Sequence, residues 1–264
     1  MLRDRIITAL IALPLVVVLT LFASTGIFFA VTFVVVALAV LETLHVVRPR
    51  ADRALKGVAL AGGLGIYTSI CWYPSSFVYM FSIAFLLLGV FYLLRFQDIV
   101  LVIHDCAVVL LVWAYVPVLF SYIVLLHAVP NGHKLVFMVL LMTMLCDSSA
   151  YFTGTRWGRH RLYPSVSPKK SIEGAVGGIC GAILAALASK WIYVPEFSVV
   201  AALGFGVVIG ISAQIGDLFE SLLKRSAQIK DSGQLFPGHG GMLDRLDSLL
   251  FAFPLAYLYV KLVL

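Results

Sequence analysis

Long apolar runs, separated by short polar segments, follow one another from the first residues of the chain to the last. A helix needs roughly 20 apolar residues to cross the hydrocarbon core of a bilayer, which is about 30 Å thick. Runs close to that length occupy 6–23, 26–44, 57–73, 76–94, 99–127, 134–152, 174–192, 198–216 and 248–263. The pattern predicts an all-α polytopic membrane protein with about nine transmembrane helices.

The same pattern indicates one membrane-embedded domain over 1–264, because no soluble-like stretch divides the chain. Residues 1–140 supply N-terminal spans, whereas 141–264 combine spans with the two long polar loops of the protein. The fifth run is longer than a bilayer requires, so its membrane part is expected to begin near Cys106. Proline lacks a backbone N–H, and Pro117 is therefore expected to kink this helix.

Basic residues predict the orientation of the chain. With the N-terminus in the cytoplasm, all of the 19 Lys and Arg residues except Lys134, Lys190 and Lys261 fall in cytoplasmic segments. Cytoplasmic loops of membrane proteins are enriched in Lys and Arg, so we expect the N-terminus inside and the C-terminus outside. This asymmetry also accounts for the net charge of +6, which therefore requires no nucleic-acid partner.

Composition agrees with a protein embedded in the lipid bilayer. Hydrophobic residues make up 62% of the chain and charged residues only 12%, and the mean hydropathy is +1.04. Soluble domains average about 45–50% apolar and 25% charged residues. The four cysteines lie singly in apolar runs, which favours buried thiols over a disulfide or a zinc site. The glycine-rich phosphate loops of soluble nucleotide-binding folds are absent from the sequence.

Residues 221–247 form a polar segment in this otherwise apolar chain. Its basic residues are Lys224, Arg225, Lys230 and Arg245, and its carboxylates are Asp231, Asp244 and Asp247. The stretch Pro237-Gly238-His239-Gly240-Gly241 can turn tightly and expose N–H groups to an anion. In a membrane protein, a long charged loop of this kind is typical of chemistry at the bilayer surface.

Carboxylates at the ends of two neighbouring spans predict a metal site beside this segment. Asp217 ends the eighth span and Asp244 and Asp247 begin the ninth, so their carboxylates are expected at one membrane level. Mg²⁺ prefers oxygen ligands, takes one or two from the protein and completes its shell with water and phosphate. The alternative is that these acids cap helices while the basic residues anchor the loop.

An earlier loop, within 144–174, carries a second group of polar residues. Asp147 lies in the cytoplasmic third of the sixth span, where a carboxylate is either functional or paired with a neighbouring helix. Lys169, Lys170 and Ser171 precede the next helix and are suited to bind phosphate. The alternative for the two lysines is an ordinary basic anchor at the membrane surface.

Many residues of these two loops stand at fixed offsets from one another. In the later loop they are Ser221, Lys224-Arg225, Lys230-Asp231, Gly233, Pro237, His239-Gly240-Gly241, Asp244-Arg245, Leu246 and Asp247. This series resembles the family pattern of phosphatidate cytidylyltransferases. Asp147, the stretch 150–154 and the stretch 167–174 also resemble that family, although Ser171 stands where Thr is more usual. The resemblance is specific over about 144–260 and only compositional over 1–140.

The resemblance implies that CTP and phosphatidic acid react to give CDP-diacylglycerol, for phospholipid biosynthesis, and pyrophosphate. It also implies Mg²⁺, a second cation such as K⁺, and a homodimer in a bacterial inner membrane with its active site facing the cytoplasm. Catalytic roles are assigned to Asp217, Asp244, Asp247, Lys224 and His239. The expected metal ligands are Asp217 and Asp244, with Asp247 and Asp147 as further ligands or orienting groups.

The resemblance also implies a set of substrate contacts to the triphosphate and the lipid phosphate. These fall on Lys169, Lys170, Ser171, Ser221, Arg225, Lys230, Asp231, Gly240, Gly241 and Arg245. His239 is not expected to act as a general base, because the attacking phosphate monoester is already mostly ionised near neutral pH. We expect it instead to orient its loop or to hydrogen-bond a phosphate.

Two other functions remain open at this point. A CTP-dependent lipid-alcohol (polyprenol) kinase would use a neutral hydroxyl to attack the γ-phosphorus, giving CDP and a lipid phosphate. An ion or anion transporter would place its ionisable residues at mid-membrane in broken helices, whereas here they cluster at the inner ends of the predicted spans. The reaction products distinguish the two enzymes.

Overall fold

The computed structural model describes residues 2–95, 98–235 and 240–263, with the side chains of 2–9 and 11 left out. Across these residues the chain is almost entirely helical. The helices are α1 (Leu2–Phe22), α2 (Thr25–Val47), α3 (Arg53–Trp72), α4 (Phe77–Arg95), α5 (Val102–Trp113), α6 (Leu119–His127), α7 (Gly132–Trp157), α8 (Ile172–Ile192), α9 (Val199–Ser226) and α10 (Leu243–Val263).

Most of the helices are long and apolar enough to cross a membrane. Within the described residues there are eight such segments: Thr25–Val47, Arg53–Trp72, Pro74–Arg95, Ile99–His127, Gly132–Trp157, Ile172–Ile192, Val199–Ser226 and Leu243–Val263. They correspond to eight of the predicted runs. Helix α1 corresponds to the remaining run, and its described apolar part is Ala12–Phe22. The prediction of an all-α polytopic membrane protein is therefore confirmed, and the orientation of the termini stays a prediction.

Polar residues placed just before the apolar runs determine where several helices begin. The side chains of Ser24, Asp52, Ser171 and Ser198 each accept a hydrogen bond from the backbone N–H three residues further on. The first N–H groups of a helix have no partner within the helix, and side chains of this kind satisfy them. These helix starts are therefore encoded locally.

The long fifth run is irregular at its centre. Residues Ala114–Val118 form a π-helical turn around Pro117, between α5 and α6. Proline removes one backbone donor and disturbs the preceding turn, and a wider turn accommodates both effects. The segment is held from the side by Trp113, whose ring nitrogen donates to the carbonyl of Ala59 at 2.8 Å. The irregularity expected at Pro117 thus takes the form of a π turn.

Helices α7 and α8 pack with their backbones in close approach. A Cβ atom at Gly178 would lie 3.1 Å from the carbonyl oxygen of Cys146, and one at Gly181 would lie 2.7 Å from that of Leu145. Small residues permit this kind of contact between membrane helices. Helices α9 and α10 complete the bundle, so the end of α7, the start of α8, the end of α9 and the start of α10 meet.

A short antiparallel β-hairpin, which the sequence analysis did not predict, joins α7 to α8. Its strands are β1 (Arg161–Tyr163) and β2 (Ser167–Ser171). Glu173, in the first turn of α8, holds the base of the hairpin. Its carboxylate accepts from the backbone N–H groups of Arg159 at 3.0 Å and His160 at 3.2 Å, and pairs with the His160 ring at 2.7 Å. The hairpin carries Lys169 and Lys170 to the end of the bundle.

Candidate active site

A cavity of about 540 Å³ lies between α7, α8, α9 and the hairpin. Its wall includes Asp147 from α7, Lys169 and Lys170 from β2, Ser171 at the start of α8, and Asp217 from α9. Four of these residues come from the polar stretch within 144–174, and Asp217 stands just before the polar segment 221–247. Pockets of roughly 300–1,000 Å³ hold small molecules of drug or cofactor size. The cavity is therefore large enough for a nucleotide-sized ligand.

An ion pair between Lys170 and Asp217 lies on the wall of this cavity. The ammonium of Lys170 lies 2.6 Å from Oδ2 of Asp217, and about 30% of each side chain is exposed. Ser221, one turn further along α9, donates to Oδ1 of Asp217 at 3.4 Å. The Lys170 nitrogen itself is buried, so a ligand carrying phosphates and a cation would have to displace this pair in order to bind here.

Two further carboxylates stand close to Asp217. Asp147 lines the same cavity, and Asp147, Asp217 and Asp247 are near enough for their charges to act on one another. One oxygen of Asp247 accepts the backbone N–H of Ser248 at 2.6 Å. Carboxylates that are close together and partly shielded from water favour a bound cation. The assignment of Asp147, Asp217 and Asp247 to one metal site stays a prediction.

Lys224 is the centre of a second, more buried cluster. Its ammonium lies 2.6 Å from Oδ1 of Asp244 on α10 and 2.9 Å from Oε1 of Glu220, one turn earlier on α9. Only 13% of the Lys224 side chain is exposed, compared with 7% for Asp244 and 0% for Glu220. Charges buried this deeply are stable only when they are paired. The cluster therefore fixes α9 against α10 beside the cavity.

Asp244 also shapes the loop that precedes α10. Its Oδ2 accepts the backbone N–H groups of Gly241 at 2.9 Å and Ser232 at 3.0 Å, and the Ser232 hydroxyl at 3.1 Å. Gly240 has φ +80, and a Cβ there would collide with Asp244. Only glycine adopts this conformation readily. These bonds give Asp244 a structural role in this loop, and its role as a metal ligand stays a prediction.

The hydrogen bonds of Asp244 bear on which carboxylates could bind Mg²⁺. Among the residues that the structure describes, no three His, Cys, Asp or Glu side chains form a metal cage made of protein alone. Mg²⁺ typically takes only one or two carboxylates and leaves the rest of its shell to water and phosphate. Asp217 and Asp147 fit that requirement because they line the cavity, although a metal at Asp217 would have to displace Lys170. Asp244 does not line the cavity, and Lys224 and three hydrogen bonds from the loop already occupy its oxygens. The assignment of Mg²⁺ to particular carboxylates stays a prediction.

The remaining predicted contacts differ in their exposure and in their protein partners. Arg225 donates to the carbonyl of Ile229 at 3.2 Å and to that of Val166 at 3.5 Å, which links the end of α9 to the hairpin. Four further predicted residues are exposed: Lys169, Lys230, Asp231 and Arg245. Ser171 is buried and caps α8, with its hydroxyl accepting the N–H of Gly174 at 3.1 Å. Pro237 and His239 lie outside the described residues.

Glu42, on α2, reaches this site although the sequence analysis did not select it. Its Oε2 accepts the N–H of Leu243, the first residue of α10, at 2.8 Å, and the hydroxyl of Ser232 at 3.2 Å. Gly233 and Gly241 approach it so closely that a Cβ on either would collide with the carboxylate. Glu42 therefore caps α10 from the N-terminal half. One signal could have revealed it, since an acid within a long apolar helix is a functional candidate.

Replacing Glu42 by Ala is expected to weaken ligand binding in the cavity and lower the stability of the protein. The change removes the acceptor for Leu243 and Ser232, and the loss of a helix cap costs roughly 0.5–2 kcal/mol. Glu42→Gln keeps one acceptor oxygen and should restore most of both properties. Thermal unfolding in detergent and CTP titration measure the two effects. Wild-type behaviour of Glu42→Ala would show that this contact does not support the loop.

The fold and the cavity define a polytopic membrane protein with a polar cavity at one end of its bundle. The sequence model of the Cytidylyltransferase family matches residues 3–263, so this chain belongs to that family.

The chain is 43% identical over 131 residues to a phosphatidate cytidylyltransferase of Thermotoga maritima, covering 48% of each chain. It is also 43% identical over 136 residues to one from Synechocystis, covering 51% of this chain and 46% of the relative. A phosphatidate cytidylyltransferase of Staphylococcus aureus is 37% identical over 151 residues, or 57% of each chain. The matched stretch thus spans about half the length of these relatives.

Proposed function

We propose that this chain is a phosphatidate cytidylyltransferase, which transfers the cytidylyl group of CTP to phosphatidic acid. The proposal is carried by the cavity where Lys170 and Asp217 meet, within a chain that belongs to the Cytidylyltransferase family. Relatives from three bacteria bear the name of this activity. A membrane-embedded site also suits a lipid substrate, because the acyl chains need not leave the bilayer during the reaction.

In the proposed reaction, an oxygen of the phosphatidic acid phosphate attacks the α-phosphorus of CTP. A P–O bond forms there while the bond from the α-phosphorus to the bridging oxygen breaks, and pyrophosphate leaves with that electron pair. Both substrates are polyanions, so the protein must hold them together against their repulsion. In phosphoryl transfer, positioning and charge neutralisation supply most of the catalysis.

The residues of the cavity suit these tasks. Lys169 and Lys170 stand on its wall and would neutralise the triphosphate. When bound, Mg²⁺ would offset the charge that develops on the leaving pyrophosphate, with Asp217 and Asp147 as the carboxylates that line the cavity. Lys224 and Asp244 would keep the loop before α10 in place. A second cation such as K⁺ and assembly as a homodimer are also part of the proposal.

The products of the reaction test this proposal against its nearest alternative. Purified protein incubated with labelled CTP, phosphatidic acid and Mg²⁺ is expected to form CDP-diacylglycerol and pyrophosphate in equal amounts. A parallel reaction without phosphatidic acid should form neither. Formation of CDP and a newly phosphorylated lipid alcohol would instead assign the protein as a lipid kinase. Uptake of an ion into vesicles without turnover of CTP would favour a transporter.

We also propose that the site faces the cytoplasm, in a bacterial inner membrane. Support comes from the distribution of Lys and Arg, which favours an internal N-terminus and an external C-terminus. Single cysteines at Ser165 and Glu196, in a background without Cys71, Cys106, Cys146 and Cys180, lie at opposite ends of α8. In right-side-out vesicles, an impermeant thiol reagent should label Glu196→Cys at once and Ser165→Cys only after permeabilisation. Equal labelling of both would contradict this orientation.

A further inference from the structure

A second polar cavity, of about 120 Å³, lies where the ends of α2 and α4 meet the starts of α3 and α5. It shares no lining residue with the candidate active site. Three arginines line it: Arg48 at the end of α2, Arg50 in the following loop and Arg95 at the end of α4. We call it the arginine pocket. Basic residues next to membrane helices often serve only as anchors. Whether this pocket can bind a ligand therefore depends on the other residues that line it.

Three aspartates also line the arginine pocket, and each already has a donor from the protein. Asp105 pairs with Arg48 through both of its oxygens, at 3.0 and 3.1 Å. Asp52 accepts the N–H of Leu55 at 2.8 Å and lies 3.7 Å from Arg95. The third, Asp98, accepts a backbone N–H at 2.9 Å at the start of the next helical turn. The three arginines and three aspartates balance in formal charge. The kind of ligand that the pocket prefers therefore depends on which hydrogen-bonding groups remain unused.

Those unused groups are donors. Tyr92, on α4, lines the arginine pocket and is 7% exposed. Its hydroxyl has no hydrogen-bond partner among the residues that the structure describes. Leaving a buried hydroxyl unpaired costs about 1–3 kcal/mol, so such groups usually bind water or a ligand. The guanidinium groups of Arg50 and Arg95 provide further N–H donors, and planar guanidinium groups match phosphate oxygens well. The ligand that completes this set is an acceptor of several hydrogen bonds.

The surroundings of the arginine pocket indicate where this acceptor comes from. Only 17% of an 18-residue stretch within Pro74–Arg95 is buried inside the protein, the lowest value among the eight spans of the described residues. The exposed side chains of this segment near the pocket include Leu93 at 78% and Leu94 at 79%. An apolar helix face of this kind is suited to contact lipid acyl chains. With α4 across a bilayer, the lipid headgroups would stand at the level where α4 ends beside the pocket.

We propose that the arginine pocket binds the phosphate of a phospholipid headgroup, with the acyl chains lying along α4. Arg50, Arg95 and the Tyr92 hydroxyl bind the phosphate oxygens, while Arg48 stays paired with Asp105. Basic pockets at the ends of membrane helices bind lipid headgroups in this way. The volume suits one phosphate group and is too small for a nucleotide. This lipid is bound in addition to the proposed substrate.

Native mass spectrometry of the purified full chain, without CTP, tests the proposal with phosphatidylglycerol as the probe. Wild-type protein should retain phosphatidylglycerol, and diacylglycerol, which lacks the phosphate, should not bind. The double variant Arg50→Gln/Arg95→Gln should lose about thirtyfold in affinity, since each basic residue near the surface contributes about 1 kcal/mol. Tyr92→Phe keeps the ring and should lose about fivefold.

The matched control is Arg53→Gln/Lys56→Gln, which removes the same charge from α3 outside the lining of the pocket. Retention of phosphatidylglycerol by this control, together with its loss from the pocket variant, supports the proposal. Equal retention by both double variants, or equal loss from both, would overturn it. Inorganic phosphate at the lipid concentration should not displace the lipid; displacement would show that the pocket binds the free ion and would reject the lipid as its ligand.

Discussion

Replacing Asp217 by Asn is expected to lower the rate of CDP-diacylglycerol formation by about a thousandfold, because the loss of a cation ligand removes several kcal/mol of transition-state stabilisation. Asp217 lines the cavity and meets Lys170 at 2.6 Å. Asn has the same shape but lacks the charge, so the helical bundle should remain intact. Initial rates at saturating Mg²⁺ and CTP, with the unfolding temperature as the check on structure, measure this effect.

Two comparisons make the Asp217 result specific. Glu196→Gln removes a carboxylate from an exposed loop at the other end of the bundle, where it pairs with Asn131, and should leave the rate unchanged. Asp244→Asn should reduce both rate and stability, because it weakens the bonds to Lys224, Ser232 and Gly241. A rate within tenfold of wild type for Asp217→Asn would remove Asp217 from the proposed metal site.

Replacing Lys224 by Met is expected to lower the free energy of unfolding by about 3–5 kcal/mol, since it leaves two carboxylates buried without their counterion. Glu220 is 0% exposed and Asp244 only 7%, so water does not replace the ammonium readily. The straight Met side chain fills most of the volume of the Lys stem, so the effect reports charge and not packing. Unfolding of the purified protein in mixed micelles, at increasing concentrations of denaturant, measures this change in the free energy of unfolding.

The control for Lys224 is its exposed neighbour in the same polar segment, Lys230→Met, which should change stability by less than about 0.5 kcal/mol. Glu220→Gln in the Lys224→Met background removes one of the two unpaired charges and should recover part of the loss. If Lys224→Met unfolds at the same denaturant concentration as wild type, the buried cluster is not the contact that holds α9 to α10.

The helical fold is largely readable from the sequence because its signals are local. Apolar runs of membrane length predicted helices that the structure confirms, and Ser24, Asp52 and Ser198 begin helices by bonding to N–H groups three residues away. The predicted spans and the observed helices differ mainly at the polar ends of the helices. Helix α9 continues through Ser226, where the predicted span stopped at 216, because the face with Glu220 and Lys224 is buried against α10.

The sequence names candidate residues for the site but not the pairs that they form. Lys170, Asp217, Lys224 and Asp244 stand in or beside two polar segments, and no local rule determines which ammonium meets which carboxylate. The hairpin was missed because strands of three and five residues, the longer containing Pro168, carry little periodicity. Glu42 was missed because its partner Leu243 lies 201 residues away. Contacts at that separation depend on how the helices pack.

The bond from Glu42 to the start of α10 also bears on how the protein is made. Chains are synthesised from the N-terminus, and their early parts fold first. Helix α2 is therefore synthesised long before Leu243. Until then, the Glu42 carboxylate lacks the Leu243 N–H group that it binds in the folded protein. The bonds from Glu42 to Ser232 and Leu243 can therefore form only after the start of α10 has been synthesised. A chain truncated before Leu243 would lack the bond that caps α10.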